Sequence, residues 1–74
     1  MKFNKINGWS YKSEDNKVMF ANAGQRYWFA AIIDQEESEK FGWIIPIENT
    51  KSYGNSIKDA KELAIYLHST LEAK

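Results

Sequence analysis

Residues 27–47 read YWFAAIID, QEESEK and FGWIIPI, two apolar runs on either side of a short acidic stretch. Their reading decides the fold. Residues 27–33 are aromatic or β-branched apart from Ala30 and Ala31, and such side chains suit a pleated surface. The run is too short for a buried helix. Both of its alternating sets are apolar: Tyr27, Phe29, Ala31 and Ile33 on one side, Trp28, Ala30 and Ile32 on the other. That pattern predicts a central strand packed on both faces. In residues 41–47, Phe41, Trp43, Ile45 and Ile47 alternate with Gly42, Ile44 and Pro46. The spacing predicts a second strand that pairs with the first as a β-hairpin. Pro46 lacks the amide proton of a ladder bond, which places this strand at an edge or ends it nearby. Gln35 to Lys40 then form a solvated, acidic hairpin loop.

Upstream, Asn7-Gly8 is a strong hairpin signal because both residues tolerate positive φ. It predicts that residues 2–6 pair with 9–12. Residues 13–16, Ser-Glu-Asp-Asn, read as a turn, 18–21 as a strand and 22–25 as another turn. Consecutive strands of this kind form a meander. Downstream, residues 48–54 are mostly polar, with room for a short strand. Ser56 is then a good helix N-cap, with Asp59 three residues on near the positive end of the helix dipole. Ile57, Ala60, Ala64, Leu67 and Leu71 follow helical spacing, and Leu63 widens the stripe. The helix is predicted over 57–71. The fold class is α+β: an antiparallel β-meander of three to five strands with one C-terminal helix packed on one face.

The chain has 74 residues, which make a single domain, 1–74. A chain this small buries only about 60% of its unfolded surface. It has no cysteine, and its eleven aromatic rings are an efficient filling for a small core. Ten basic and ten acidic residues cancel, so no global field draws it to nucleic acid or anionic lipid. No run is long enough to span a membrane. The opening MKFNKINGW has no apolar signal-peptide core. A cytoplasmic protein of a bacterium or its phage is the expectation.

One helix covers one face of a sheet. If it covers the Phe29, Ala31, Ile33 set, then Trp28, Ala30 and Ile32 face away, together with Ile44. The N-terminal strands, a second copy of the chain or another protein would cover them. Glu36, Glu37 and Glu39 suit either a solvated loop tip or the acidic edge of a partner-binding surface. Aromatic rings with nearby lysines also suit single-stranded nucleic acid or RNA. Trp9, Tyr11, Trp28 and Trp43 are candidates for stacking, with Lys12, Lys17, Lys51, Lys58 and Lys61 for phosphates. His68, the only histidine, falls at the edge of the helical stripe and reads as a partly packed boundary residue. No catalytic set, metal site or cofactor motif is legible, so an enzyme is not expected.

Residues 27–71 resemble the N-terminal domain of HicB-type antitoxins. The matching residues are Phe29, Ala31 and Ile32, then Glu36 and Glu37, then Gly42, Trp43 and Pro46. Gly54, Ser56, Ala60, Ala64 and Leu67 complete the pattern. The resemblance implies a non-catalytic protein that binds and blocks a small toxin. The expected function is therefore a protein-binding module, antitoxin-like or a phage-encoded inhibitor. Nucleic-acid binding through the aromatic sheet face is the alternative.

Overall fold

Five strands form one antiparallel sheet in the order of the sequence. They are β1 (Phe3–Asn7), β2 (Ser10–Ser13), β3 (Val18–Gly24), β4 (Tyr27–Ile32) and β5 (Ser52–Gly54). Two helices complete the fold, α1 (Gln35–Phe41) and α2 (Ile57–Glu72), with a 3-10 turn at Glu48–Thr50. The computed structural model describes residues 2–24 and 26–72. Gln25, in the expected turn at 22–25, lies outside the described residues. Among the described residues no helix is long and apolar enough to cross a membrane.

The meander forms where the turn residues place it. Between β1 and β2, Asn7 Oδ1 accepts a hydrogen bond from the Trp9 amide at 3.0 Å. Neither Asn7 nor Gly8 has positive φ. The side-chain cap therefore closes this turn, rather than the mirror-image backbone that Asn-Gly suggests. Between β2 and β3, Asn16 takes φ 61°. The Ser13 hydroxyl accepts from the amides of Lys17 at 3.0 Å and Val18 at 3.1 Å.

The predicted hairpin of 27–33 with 41–47 is not what forms. The partner of β4 is β5, paired through Trp28–Gly54, Phe29–Tyr53 and Ala30–Ser52. Gln35 to Phe41 is the helix α1, not a loop. Asp34 caps it, accepting from the Glu37 amide at 3.1 Å. Glu36 and Glu37 lie at its positive end and Lys40 at its negative end. Gly42 ends it in the left-handed region at φ 80°. Residues 43–47 then return as a strap. Ile33 and Pro46 form an isolated bridge. The Asp34 amide donates to the Ile45 carbonyl, and the Ile47 amide to the Ile32 carbonyl, both at 2.8 Å.

The C-terminal helix lies where its pattern predicts. Asp59 N–H donates to the Ser56 hydroxyl at 3.2 Å, and Asp59 reaches back to the Asn55 amide at 3.3 Å. Ala60 and Ala64 are fully buried, which lets the helix backbone approach the sheet closely. Ile57, predicted in the stripe, stays exposed at its first turn.

Of the two faces of β4, α2 covers the one that bears Trp28, Ala30 and Ile32. Strand register puts Val18, Phe20, Trp28, Ala30 and Ile32 on one side. There they pack with Ala60, Leu63, Ala64, Leu67 and Leu71. Trp28, Ala30 and Ile32 are therefore core residues under the protein's own helix, not an open docking face. The opposite side carries a second cluster, Met19, Ala21, Ala31 and Ile33, against which Phe29 and Ile44 pack.

Candidate functional site

The helix-distal side of the sheet carries the exposed rings. Phe29 and Tyr53 are cross-strand partners whose ring centroids lie 5.9 Å apart. Lys51 Nζ sits 5.1 Å from the Phe29 centroid, a cation–π distance. The strap brings a second pair: Phe41 and Trp43 stack at 6.0 Å, with Lys40 Nζ 5.6 Å from the Phe41 ring. Ile44, beside Trp43, and Phe29 both pack on the second cluster. A shallow hollow of about 590 Å³ runs along this side. Ile6, Ile33, Trp43 and Ile44 form its apolar wall, and Gln35 and Glu39 its polar rim.

Hydrogen bonds hold the strap in place. The Ser38 hydroxyl accepts from the Ile45 amide at 2.8 Å and so ties α1 to it. Thr50 Oγ1 accepts from the Ile32 amide at 3.0 Å and donates to the Ile47 carbonyl at 2.7 Å. Trp43 and Tyr53 are thus held by ordered backbone, yet they stay 66% and 62% exposed. An exposed apolar surface of this kind on a small domain is a candidate interaction surface.

The expected site residues divide. Ala30 is buried and Trp28 and Ile32 are half-buried against α2, as described. Ile44 belongs to the helix-distal side. Glu36 and Glu39 are exposed on α1, and Glu37 is half-buried there. Of the stacking candidates, Tyr11 and Trp28 pack on the helix side. Trp43 lies on the strap, and Trp9 is exposed in the β1–β2 turn. The four rings do not form one platform. Lys12 hydrogen-bonds Asn16, and Lys17 is exposed at the start of β3. Phe29, Phe41 and Tyr53 were missed as site residues. The alternation at 27–33 isolates Phe29's side, but nothing local says that this side stays open.

His68 also proves more specific than a boundary residue. It is 6% exposed, and its Nε2 lies 2.6 Å from Asp15 Oδ2. The Ser13 hydroxyl donates to Asp15 Oδ1 at 2.6 Å. Serine and histidine thus both bond to the same carboxylate. Ser13 is only 1% exposed, and the group joins the β2–β3 turn to α2 as a staple. It does not assemble a nucleophile. Desolvation raises the Asp15 carboxyl. Hydrogen bonds with His68, Ser13 and the Lys17 amide, and the His68 charge, outweigh it and hold Asp15 at about 2, below the ordinary 3.8.

A carboxyl lowered on folding stabilises the fold above its unfolded value and loses that contribution as pH falls through the folded one. The window is therefore pH 4 down to about 2. The Asp15 side chain is 43% exposed, so solvent screening limits the effect. About 1 kcal/mol is expected. Asp15→Asn should cost about 1–2 kcal/mol at pH 7, because the amide cannot accept from both partners. Urea melts at several pH values check both. A variant that loses stability between pH 4 and 2 as steeply as the wild type would remove Asp15 as the cause.

Among the described residues, no three His, Cys, Asp or Glu side chains gather to hold a metal ion. No family model, curated protein or solved structure matches the chain.

Proposed function

We propose that the protein is a non-catalytic binding module that engages a protein partner through the helix-distal side of its sheet. An antitoxin-like protein or a phage-encoded inhibitor acting in the cytoplasm would work this way. One observation carries the reading: Trp43 and Tyr53 stay exposed around an apolar cluster that the fold holds in place from beneath. Aromatic anchors of this type dominate the energetics of protein interfaces. The acidic helix α1 borders the same surface through Glu39. Its charge suits a partner with an apolar centre and a basic rim.

The test is capture of the partner from the cells that encode the protein, with wild type and Trp43→Asp/Tyr53→Asp compared. Both residues are exposed but each pairs with another ring, so the variant should lose about 1 kcal/mol per site and still fold. One stoichiometric protein partner is expected with the wild type and at least tenfold less with the variant. Equal retention by both would move the interface elsewhere. Sedimentation of the purified chain addresses the second copy: a dimer dissociated by the variant would make the partner the chain itself. A mixed-sequence single strand that binds tightly, salt-sensitively and only to the wild type would replace the protein partner with nucleic acid.

A further inference from the structure

On the helix side, α2 lies against β3, β4 and β5 and leaves the β1–β2 end of the sheet beyond its reach. A cleft of about 510 Å³ opens at that step. Phe3, Tyr11 and Phe20 form its floor, and Lys2, Lys58 and Lys61 stand around it. The floor is rigid. Tyr11 stacks on Phe20 at 4.8 Å and 12°, and Phe3 meets the same ring edge-on at 5.0 Å. Phe20 is buried, so Phe3 and Tyr11 supply the accessible aromatic surface.

The charged residues that line the cleft are all lysines, and Glu14 adjoins one of them, its amide donating to the Lys2 carbonyl at 3.0 Å. Lys5 lies opposite Tyr11 in the sheet register and so shares this face. The acidic side chains of the early turns of α2, Asp59 and Glu62, line a separate groove beside Tyr53 and Gly54. Three of the chain's ten basic residues thus line this cleft. Among the described residues, none of Lys2, Lys58 and Lys61 takes part in a salt bridge. Lys58 also lies in the first turn of α2, where the helix dipole disfavours a cation. An anion in the cleft would offset that cost.

We propose that this cleft binds a nucleoside phosphate, with the base against Phe3 and Tyr11 and the phosphate among Lys2, Lys58 and Lys61. Aromatic surface beside converging ammonium groups is the chemistry that holds a base and its phosphate together. The volume lies within the usual range for small-ligand sites, about 300–1,000 Å³. An acidic peptide would satisfy the lysines but make no use of an aromatic floor. The ligand is either a free mononucleotide or one residue of a single strand. The cleft lies across the sheet from Trp43 and Tyr53, so the proposal stands or falls separately from the partner-binding face.

The test is a titration of the isotope-labelled protein, followed by amide resonances. The probes are the mixed nucleoside 5′-monophosphates and a mixed-sequence eight-nucleotide single strand. Shifts are expected at Phe3, Tyr11, Lys58 and Lys61. Binding should fall at least tenfold in Lys58→Glu/Lys61→Glu. An acidic residue in the first turn favours the helix, so this variant should fold. Lys58→Gln/Lys61→Gln serves as a second variant with no charge reversal. With one phosphate held, affinity for the strand should fall roughly 3-fold between 50 and 200 mM salt. Shifts with the monophosphates alone would assign a free nucleotide, and shifts with the strand alone a single-strand site. The proposal is overturned if neither probe moves these resonances, or if the lysine variants bind as the wild type does. It is equally overturned if inorganic phosphate or polyglutamate gives the same shifts at matched ionic strength.

Discussion

Phe20→Ala is expected to leave much of the protein unfolded at 37 °C. Phe20 is 2% exposed and touches three other rings, those of Phe3, Tyr11 and Trp28. Removing a buried phenylalanine costs about 3–5 kcal/mol, as lost transfer energy plus the cavity left behind. A domain of this size has only about 4–11 kcal/mol in total. Phe3 and Tyr11 would also lose the surface they pack on, and the lysine-rimmed cleft would lose its floor. Urea denaturation followed by circular dichroism measures the effect. Phe20→Leu keeps most of the volume and should cost less than half as much. A loss below about 1 kcal/mol for the alanine variant would mean that Phe20 is not the centre of the core.

Gly54→Ala is the second large effect. A Cβ at this position would lie 2.6 Å from the Asp59 Cβ and 3.4 Å from the Ala60 amide nitrogen. Neither atom can swing away as the tip of a flexible side chain could. β5 and the first turn of α2 would have to separate, and the Ser56–Asp59 cap would be strained. Overpacking of this kind costs about 1–3 kcal/mol. For a domain of this length, that lowers the melting midpoint by roughly 10 °C. Gly8→Ala is the control, since nothing lies within 4 Å of its Cβ position. Equal melting of the two variants would refute the close approach at Gly54.

These two residues differ in how far the sequence discloses them. Phe20 sits in a run that reads as a strand, and burial of its side follows once a helix is placed on the sheet. Gly54 reads as turn or packing geometry, with nothing local to say which. Its role depends on where residue 59 arrives, and strand alternation holds no information about that distance.

The misread hairpin has a local explanation. The signals for α1 are present: Asp34 as cap, Glu37 three residues on, Lys40 in the last turn and Gly42 beyond it. The helix spans only seven residues, between two runs of strand-like composition. Short helices draw little stability from their own hydrogen bonds, and α1 depends on tertiary support such as the Ser38–Ile45 tie. Residues 41–47 carry strand-like alternation because the strap packs Ile44 inward while leaving Trp43 outside. Alternation reports which side chains are buried. It does not report whether a ladder partner is present.

The Ser13–Asp15–His68 staple was beyond reach for a related reason. Each residue has a bland local reading, as turn or helix edge, and 53 positions separate Asp15 from His68. Only the placement of α2 over β3 and β4 brings them together.

The sequence by itself determined the meander, the C-terminal helix with its Ser56 cap, and the small residues that let that helix lie close. Those features are encoded within a turn or a helical repeat, where neighbouring residues set the free energy. The tertiary structure alone decided which face of β4 the helix covers. Trp28, Ala30 and Ile32 compete with Phe29, Ala31 and Ile33, and both sets are apolar enough to be buried. The register decides between them. It sets Phe20 opposite Ala30 and Val18 opposite Ile32, so the bulk of β3 and the small residues of β4 make a surface that fits Ala60 and Ala64. That fit is a property of three elements at once, and no single stretch of chain carries it.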